Sequence, residues 1–517
     1  MTGTAALSGT VAVVGMGMVA PGVGDPGEFW RALVSGTTML DATERVDLGN
    51  WFSTDRSAPD KTHVRSGGFL RIFTPGTESQ WSGTEGRETD RAATLLRHSL
   101  TQALDTVTVH PGDRCGAYVG THPGGWAVED AVLLAAVGDL GRSPAHTALR
   151  ARYRFASPRP MDGFPDRMLR TVCTDLLPSG SELLVVDTAC SSSLYAIDLG
   201  VKALLAGDRD VVLCGGCNTG ARRDMVLFTK LGGLSETGEI RAFDTDASGV
   251  LFCDAAAVVA LKLLDRAIAD GDEILGLLGG FGASADGAGS VLASSPDGQR
   301  LAIDRARAVN AFEPDAFEWI MAHGTGTRVG DDVELESLAA ATGPRPVWCT
   351  SNKPMVGHGA WAAGVINVIH VLLAMRHHEI PAETNFTALP DTAAADRIRV
   401  PVEPLAWPPR PSRPRLAGVC AYGLGGTNAY LVVQAPDPGA APRSASISIS
   451  ARATGDPIVV VGTAVHFPGT DHGDDITGWL SGRAAAPPRS FGDEYPLPPL
   501  KHLRMRRSTP APSTAPT

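Results

Sequence analysis

Short apolar runs alternate along this chain with stretches in which apolar positions recur every three or four residues. The runs Val11–Gly15, Cys115–Gly120, Leu183–Val186, Asp210–Gly215, Ala255–Leu264 and Ile274–Phe281 are predicted strands. So are Glu318–Ala322, Pro346–Cys349, Leu416–Cys420 and Ala429–Val433. Helical period predicts a helix over Arg91–Ala103, where Ala92, Leu95, Leu96, Leu100 and Ala103 share one face. The same period runs through Leu194, Ile197, Val201, Leu204 and Leu205, and a small apolar helix is predicted over Ala362–Met375. Phe29–Leu33 opens a further helix, while residues 37–90 are polar, weakly periodic and read as loops. Strands alternating with helices predict a layered α/β body.

Composition narrows the function classes. The chain has 517 residues, 43% of them hydrophobic, which is enough for a large core and excludes global disorder. A net charge of −11 argues against general nucleic-acid binding. The eight cysteines are scattered; Cys214 and Cys217 form a lone CxxC without a second pair or nearby histidines, and read as packing. Met1–Gly22 lacks the basic head of a secretory leader, and no apolar run approaches roughly 18 residues. A reduced, cytoplasmic protein with no membrane span is therefore expected. Arginines crowd Arg142–Arg170, read as a solvated face that an acidic partner could also use.

Past residue 434 the chain changes character. Residues 435–456 are rich in Pro, Ala, Ser and Arg and read as a linker. Ile458–Gly462, Pro468-Gly469 and Leu480-Ser-Gly482 then mirror Val11–Gly15, Pro21-Gly22 and Val34-Ser-Gly36. Residues 457–517 thus read as a truncated repeat of the chain's own start, ending in a Pro/Ser/Thr/Ala tail.

Candidate chemistry gathers at the ends of four predicted strands, the usual place for a site in an α/β sheet. Cys190 follows Leu183–Val186, with Ser191–Ser193 as cap-type residues opening the next helix. A helix N-terminus favours a thiolate, so a lowered thiol pKa and a nucleophilic Cys190 are expected, with backbone N–H groups at hand for an oxyanion. His323 and His358 bring two imidazoles, and Lys353 brings a cation close to His358 in sequence. Thr325 and Thr327 lie on a glycine-flexed loop, and Gly423–Gly426 permits close backbone approach.

Four blocks together, Asp187-Thr-Ala-Cys-Ser-Ser-Ser193, His323-Gly-Thr-Gly-Thr327, Lys353 with Gly357-His358, and Gly423-Leu-Gly-Gly-Thr-Asn428, resemble the β-ketoacyl synthase (ketosynthase) family of polyketide-synthase type. The resemblance spans about residues 11–433, with Arg241-Ala-Phe-Asp244, Gly330-Asp331 and Glu334 as supporting matches. It implies a thiolase-like fold of two β-α-β-α-β halves in an α-β-α-β-α body, here residues 1–265 and 266–434, and a homodimer. It implies that Cys190 accepts an acyl chain from an acyl carrier protein. His323 and His358 would then stabilise the enolate left when a malonyl-type thioester loses carbon dioxide. The N–H groups of Cys190 and Leu424 would form the oxyanion hole, and Lys353, paired with Glu334, would orient the His358 region. Thr325, Thr327, Trp361, Tyr422 and Gly425 would contact substrate. No metal or bound cofactor is required, because the carrier brings the phosphopantetheine.

The chain also departs from the family. Leu424 stands where a gating Phe is common, Cys253–Ala257 replaces a glycine-rich block, and Trp361 follows His358 where small residues are usual. These changes, and the absence of the flanking domains of modular synthases, imply a freestanding, divergent ketosynthase. They leave two other readings open: a variant that cyclises its tethered chain and releases a lactone, and a catalytically silent docking partner.

Overall fold

The computed structural model describes residues 9–42, 51–70, 91–122, 164–220, 222–287, 294–391, 393–410 and 413–437. The predicted repeat after residue 457, the linker from 438, and most of the arginine-rich run lie outside the described residues.

Eleven strands form the main sheet: β1 (Val11–Val19), β2 (Cys115–Gly120), β3 (Glu182–Val186), β4 (Val211–Asn218), β5 (Ala255–Leu263), β6 (Gly276–Ala285), β7 (Trp319–Met321), β8 (Val347–Thr350), β9 (Ile398–Arg399), β10 (Leu416–Gly423) and β11 (Thr427–Gln434). Their order is β9-β8-β7-β10-β11-β6-β1-β5-β4-β2-β3. Starting from the antiparallel β1–β6 junction, the sequence β1-β5-β4-β2-β3 is matched by β6-β11-β10-β7-β8. The pairing senses match too: antiparallel, antiparallel, parallel, parallel on each side. The chain has therefore built one five-stranded unit twice.

Alternation along the strands explains the layers. Val11 and Val13 of β1 join one apolar cluster while Ala12 and Val14 join another. The second cluster takes helices α2 (Arg91–Leu104) and α3 (Pro165–Cys173) against the outer face of the first unit. A third takes α7 (Pro296–Ala308) and α8 (Arg328–Ala341) against the outer face of the second unit. Between the units lie α4 (Ser192–Leu205) and α10 (Ala363–His377). The remaining helices are α1 (Pro26–Ser35), α5 (Arg222–Lys230), α6 (Leu264–Asp270) and the single turn α9 (Lys353–Val356).

Every residue of α10 from Ala363 to Met375 is buried, which is why its sequence is apolar on all sides. With the preceding turn it forms an 18-residue apolar stretch, Ala360–His377, longer than the sequence pattern predicted and 83% buried inside the body. Its composition serves the core. Glycine sets the helix–sheet distance symmetrically: a Cβ on Gly15 of β1 would lie 2.0 Å from the Ala103 carbonyl oxygen of α2, and one on Gly282 of β6 would lie 1.9 Å from that of Ala302 in α7.

Candidate active site

The two central helices carry the chemistry because each follows the outer strand of its unit. Cys190 lies between β3 and α4; Lys353 and His358 lie between β8 and α10. The Cys190 turn is forced. Ala189 has φ +53°, a left-handed conformation that costs a residue with a Cβ roughly 1–3 kcal/mol and persists only where neighbours hold it. The serines supply that hold instead of capping α4 through their side chains. Ser191 Oγ donates to the Thr188 carbonyl at 2.7 Å, and Ser192 Oγ donates to that of Ala189 at 2.6 Å while accepting from Thr188 N–H at 2.8 Å. Ser193 Oγ accepts from Val365 N–H at 3.1 Å and so joins the two central helices.

The glycine-rich turn between β10 and β11 is tied to the same elbow. Thr427 Oγ1 donates to the Thr188 carbonyl at 2.9 Å, and a Cβ on Gly423 would meet that oxygen at 2.4 Å. Gly425 and Gly426 take φ of +98° and +84°, which turns the Leu424 N–H toward the Cys190 sulfur.

His358 Nε2 lies 3.1 Å from Cys190 Sγ. The His323 ring sits edge-on to that of His358, centroids 5.2 Å apart, and Tyr422 lies 5.7 Å beyond His323. Two buried charges hold the His323 backbone. The Glu334 carboxylate accepts from His323 N–H and Gly324 N–H, each at 2.7 Å, and the Lys353 ammonium donates to the His323 carbonyl. The expected Lys353–Glu334 pairing is thus indirect: the two side chains act on opposite polar groups of one residue. Asp331 completes the loop by accepting from Thr325, Gly326 and Phe243 N–H groups.

Burial sets the protonation states. It pushes the Cys190 thiol up to about 11, against the Leu424 N–H and the Lys353 charge, which both favour the thiolate. The thiol is thus raised where the helix N-terminus led to the expectation of a lowered one, and removal from water is the largest cause. Burial, with Lys353 nearby, holds both imidazoles well below their ordinary range, so the resting pair is thiol and neutral imidazole. Nδ1 of both histidines is buried without a hydrogen-bond partner. A bare nitrogen there costs less than an unpaired N–H, which favours the tautomer carrying hydrogen on Nε2.

Cys190, His323, His358, Glu334, Thr325, Thr327, Tyr422, Leu424 and Gly425 all line one cavity of about 490 Å³. Lys353 lies behind it, buried against His323. Trp361, expected among the substrate contacts, is not among the residues that line it. Its indole N–H donates to Asp187 Oδ1 at 2.8 Å and its ring packs 3.7 Å from that of His122. The structure adds Phe228 and Phe252 to the wall, and Asn367, whose amide donates to the Ala322 and Cys420 carbonyls behind the site. Nothing in the sequence marked the face that Phe252 presents.

The sequence patterns of known families agree with this geometry. The pattern for "Beta-ketoacyl synthase, N-terminal domain" matches residues 8–267, and that for the C-terminal domain matches residues 275–387. The chain belongs to the β-ketoacyl synthase family. This ketosynthase is 31% identical over 526 residues to a mycocerosic acid synthase-like polyketide synthase of Mycolicibacterium smegmatis, spanning 96% of this chain and 24% of that protein. It is 32% identical over 462 residues to erythronolide synthase EryA2 of Saccharopolyspora erythraea, spanning 84% of this chain and 12% of that protein. The ketosynthase thus covers a quarter or less of the length of these relatives. Among solved structures it resembles the ketosynthase from module 6 of the bacillaene synthase of Bacillus subtilis 168, with TM-score 0.70, 26% identity, and 83% and 72% of the two chains covered. The oxazolomycin ketosynthase domain of Streptomyces albus JA3453 gives TM-score 0.70 and 26% identity, over 83% and 74%. The thiolase-like fold follows.

Proposed function

We propose that this ketosynthase takes an acyl chain from an acyl carrier protein onto Cys190 and extends it by decarboxylative condensation with a malonyl-type carrier thioester. The observation that carries the reading is the 3.1 Å approach of His358 Nε2 to Cys190 Sγ, with His323 beside it in one cavity.

In the first half-reaction Cys190 Sγ attacks the carrier thioester, and the thiol proton passes to the departing pantetheine sulfur, which leaves as its thiol. The tetrahedral oxyanion accepts from the N–H groups of Cys190 and Leu424. In the second, the malonyl carboxylate leaves as carbon dioxide and its bonding electrons become the enolate. The Nε2–H groups of His323 and His358 donate to the enolate oxygen, and Lys353 holds the His323 backbone in place. The enolate carbon attacks the Cys190 thioester; the sulfur departs as thiolate and takes a proton from water. Thr325, Thr327, Tyr422 and Gly425 contact the pantetheine arm and acyl chain.

Homodimer formation is proposed through β3, the sheet's edge strand, whose side chains are all partly or fully exposed. The setting proposed is cytoplasmic biosynthesis of a polyketide antibiotic or related metabolite. Ring closure without extension would use the same residues. The test is to supply acyl-carrier and carboxyl-labelled malonyl-carrier thioesters together. Label released as carbon dioxide in step with a β-keto product supports condensation; product of unchanged carbon count, without label release, contradicts it.

A further inference from the structure

A buried histidine ring is ordinarily fixed by the hydrogen bond its second nitrogen makes. His358 lacks that bond, since its Nδ1 is buried and unpartnered. What touches the ring instead is Phe252. Their centroids lie 5.4 Å apart with planes 28° from parallel, while Phe228 meets Phe252 edge-on at 4.6 Å. The backbones are locked as well: His358 N–H donates to the Leu251 carbonyl at 2.8 Å, and Cys253 N–H donates to that of His358 at 3.1 Å. Phe252 is therefore fixed relative to the His358 backbone, and its face limits rotation of the imidazole. Both phenylalanines line the cavity.

We propose that Phe252 is the positioning residue for His358, its ring taking the place of the missing hydrogen bond at Nδ1 and, with Phe228, shielding the His358–Cys190 pair from water. This deepens the condensation reading and rests on it for the role of His358. Burial sets the pair's titration first, with the Lys353 charge acting on both groups and the Leu424 N–H and Asp187 on Cys190, none of them on the residue altered; His323 is the titratable ring beside His358.

The test compares the full-length wild type with Phe252→Leu, which keeps an apolar group but loses the flat face, and Phe252→Tyr, which restores it. Two readouts are taken: steady-state condensation, and the pH profile of Cys190 alkylation by iodoacetamide, which needs no carrier substrate. For F252L the expected result is a kcat roughly 10- to 100-fold lower, as for a misplaced catalytic group. KM for the malonyl carrier should stay within about twofold. The alkylation midpoint should move to lower pH as water reaches the pair, and F252Y should restore both readouts. Should F252L fail to fold, Phe252→Met is measured in its place. A leucine or methionine variant with wild-type kcat and alkylation profile overturns the proposal. So does one that loses kcat with an unmoved profile, since that is a merely structural effect. If the wild type does not condense at all, the condensation reading fails, and the alkylation profiles still decide the positioning of His358.

Discussion

Glu334 grips the backbone of His323, one carboxylate oxygen on its N–H and the other on that of Gly324, both at 2.7 Å. The same residue's carbonyl takes the Lys353 ammonium. His323 is thus clamped between a buried anion and a buried cation, and its ring is left free to face the cavity beside His358. Hydrogen bonds to a charged acceptor contribute about 1.5–3 kcal/mol each. Glu334→Gln keeps the shape but offers one carbonyl where two acceptors are needed, and turns an amide N–H toward a donor. We expect a kcat roughly 10- to 100-fold lower. Acylation of Cys190 should be much less affected, because His358 and the Leu424 N–H do not depend on this clamp. Pre-steady-state acylation and steady-state condensation, measured on the same preparation, check the split.

The Leu424 N–H matters in the proposed oxyanion hole, and its side chain does not. Leu424→Ala should therefore leave condensation within about threefold of wild type, since no backbone donor is lost. Gly425→Ala places a Cβ at φ +98°, where the open space around it does not relieve the backbone strain. The turn would shift and carry the Leu424 N–H off the oxyanion. A fall of roughly 100-fold in the acylation rate is expected, the usual effect of removing one such donor. Equal behaviour of the two variants would remove Leu424 from the hole.

Much of this arrangement could be read from the sequence, and the reasons are specific. Cys190, His323 and His358 each follow an apolar run, and a strand's end fixes where its successor emerges, so their convergence was legible. Periodicity also located α2, α4 and α10. Side-chain direction within irregular turns has no period to read. That is why Trp361 was expected in the pocket although it bonds Asp187, and why the His323 backbone between the Lys353 and Glu334 charges went unread. The Cys190 thiol was misjudged for another reason: the start of α4 is visible in sequence, whereas the burial that raises the thiol comes from residues far along the chain. Phe252 escaped because an apolar residue ahead of a strand is ordinarily core.

His370 on α10 is buried, packs edge-on against Phe29 and Trp319, and has no hydrogen-bond partner on either nitrogen. Burial pushes its pKa down to about 3 from an ordinary 6.5. Between those values the unfolded chain binds a proton that the folded chain excludes, so stability falls as pH drops from 6.5 toward 3. Above that window the group makes no demand of this kind. His323 and His358 act in the same direction. His370→Leu removes one such group and an unpaired polar atom, and should stabilise the protein by about 1–3 kcal/mol, with a shallower loss toward acid. Urea unfolding at pH 7.5 and pH 5.5 checks both; a larger acid loss in the variant would contradict the assignment.

The central claim is an acyl chain held on Cys190 and consumed by a malonyl-derived carbanion. Intact-mass spectrometry of the protein after exposure to an acyl-carrier thioester tests it most directly, with malonyl carrier withheld and then added. The account predicts a stable adduct of the acyl mass, absent in Cys190→Ala. On adding malonyl carrier the adduct should disappear as carbon dioxide and a carrier-bound product two carbons longer appear together. An adduct that clears without the donor into a product of unchanged carbon count, or no adduct at all, would contradict it.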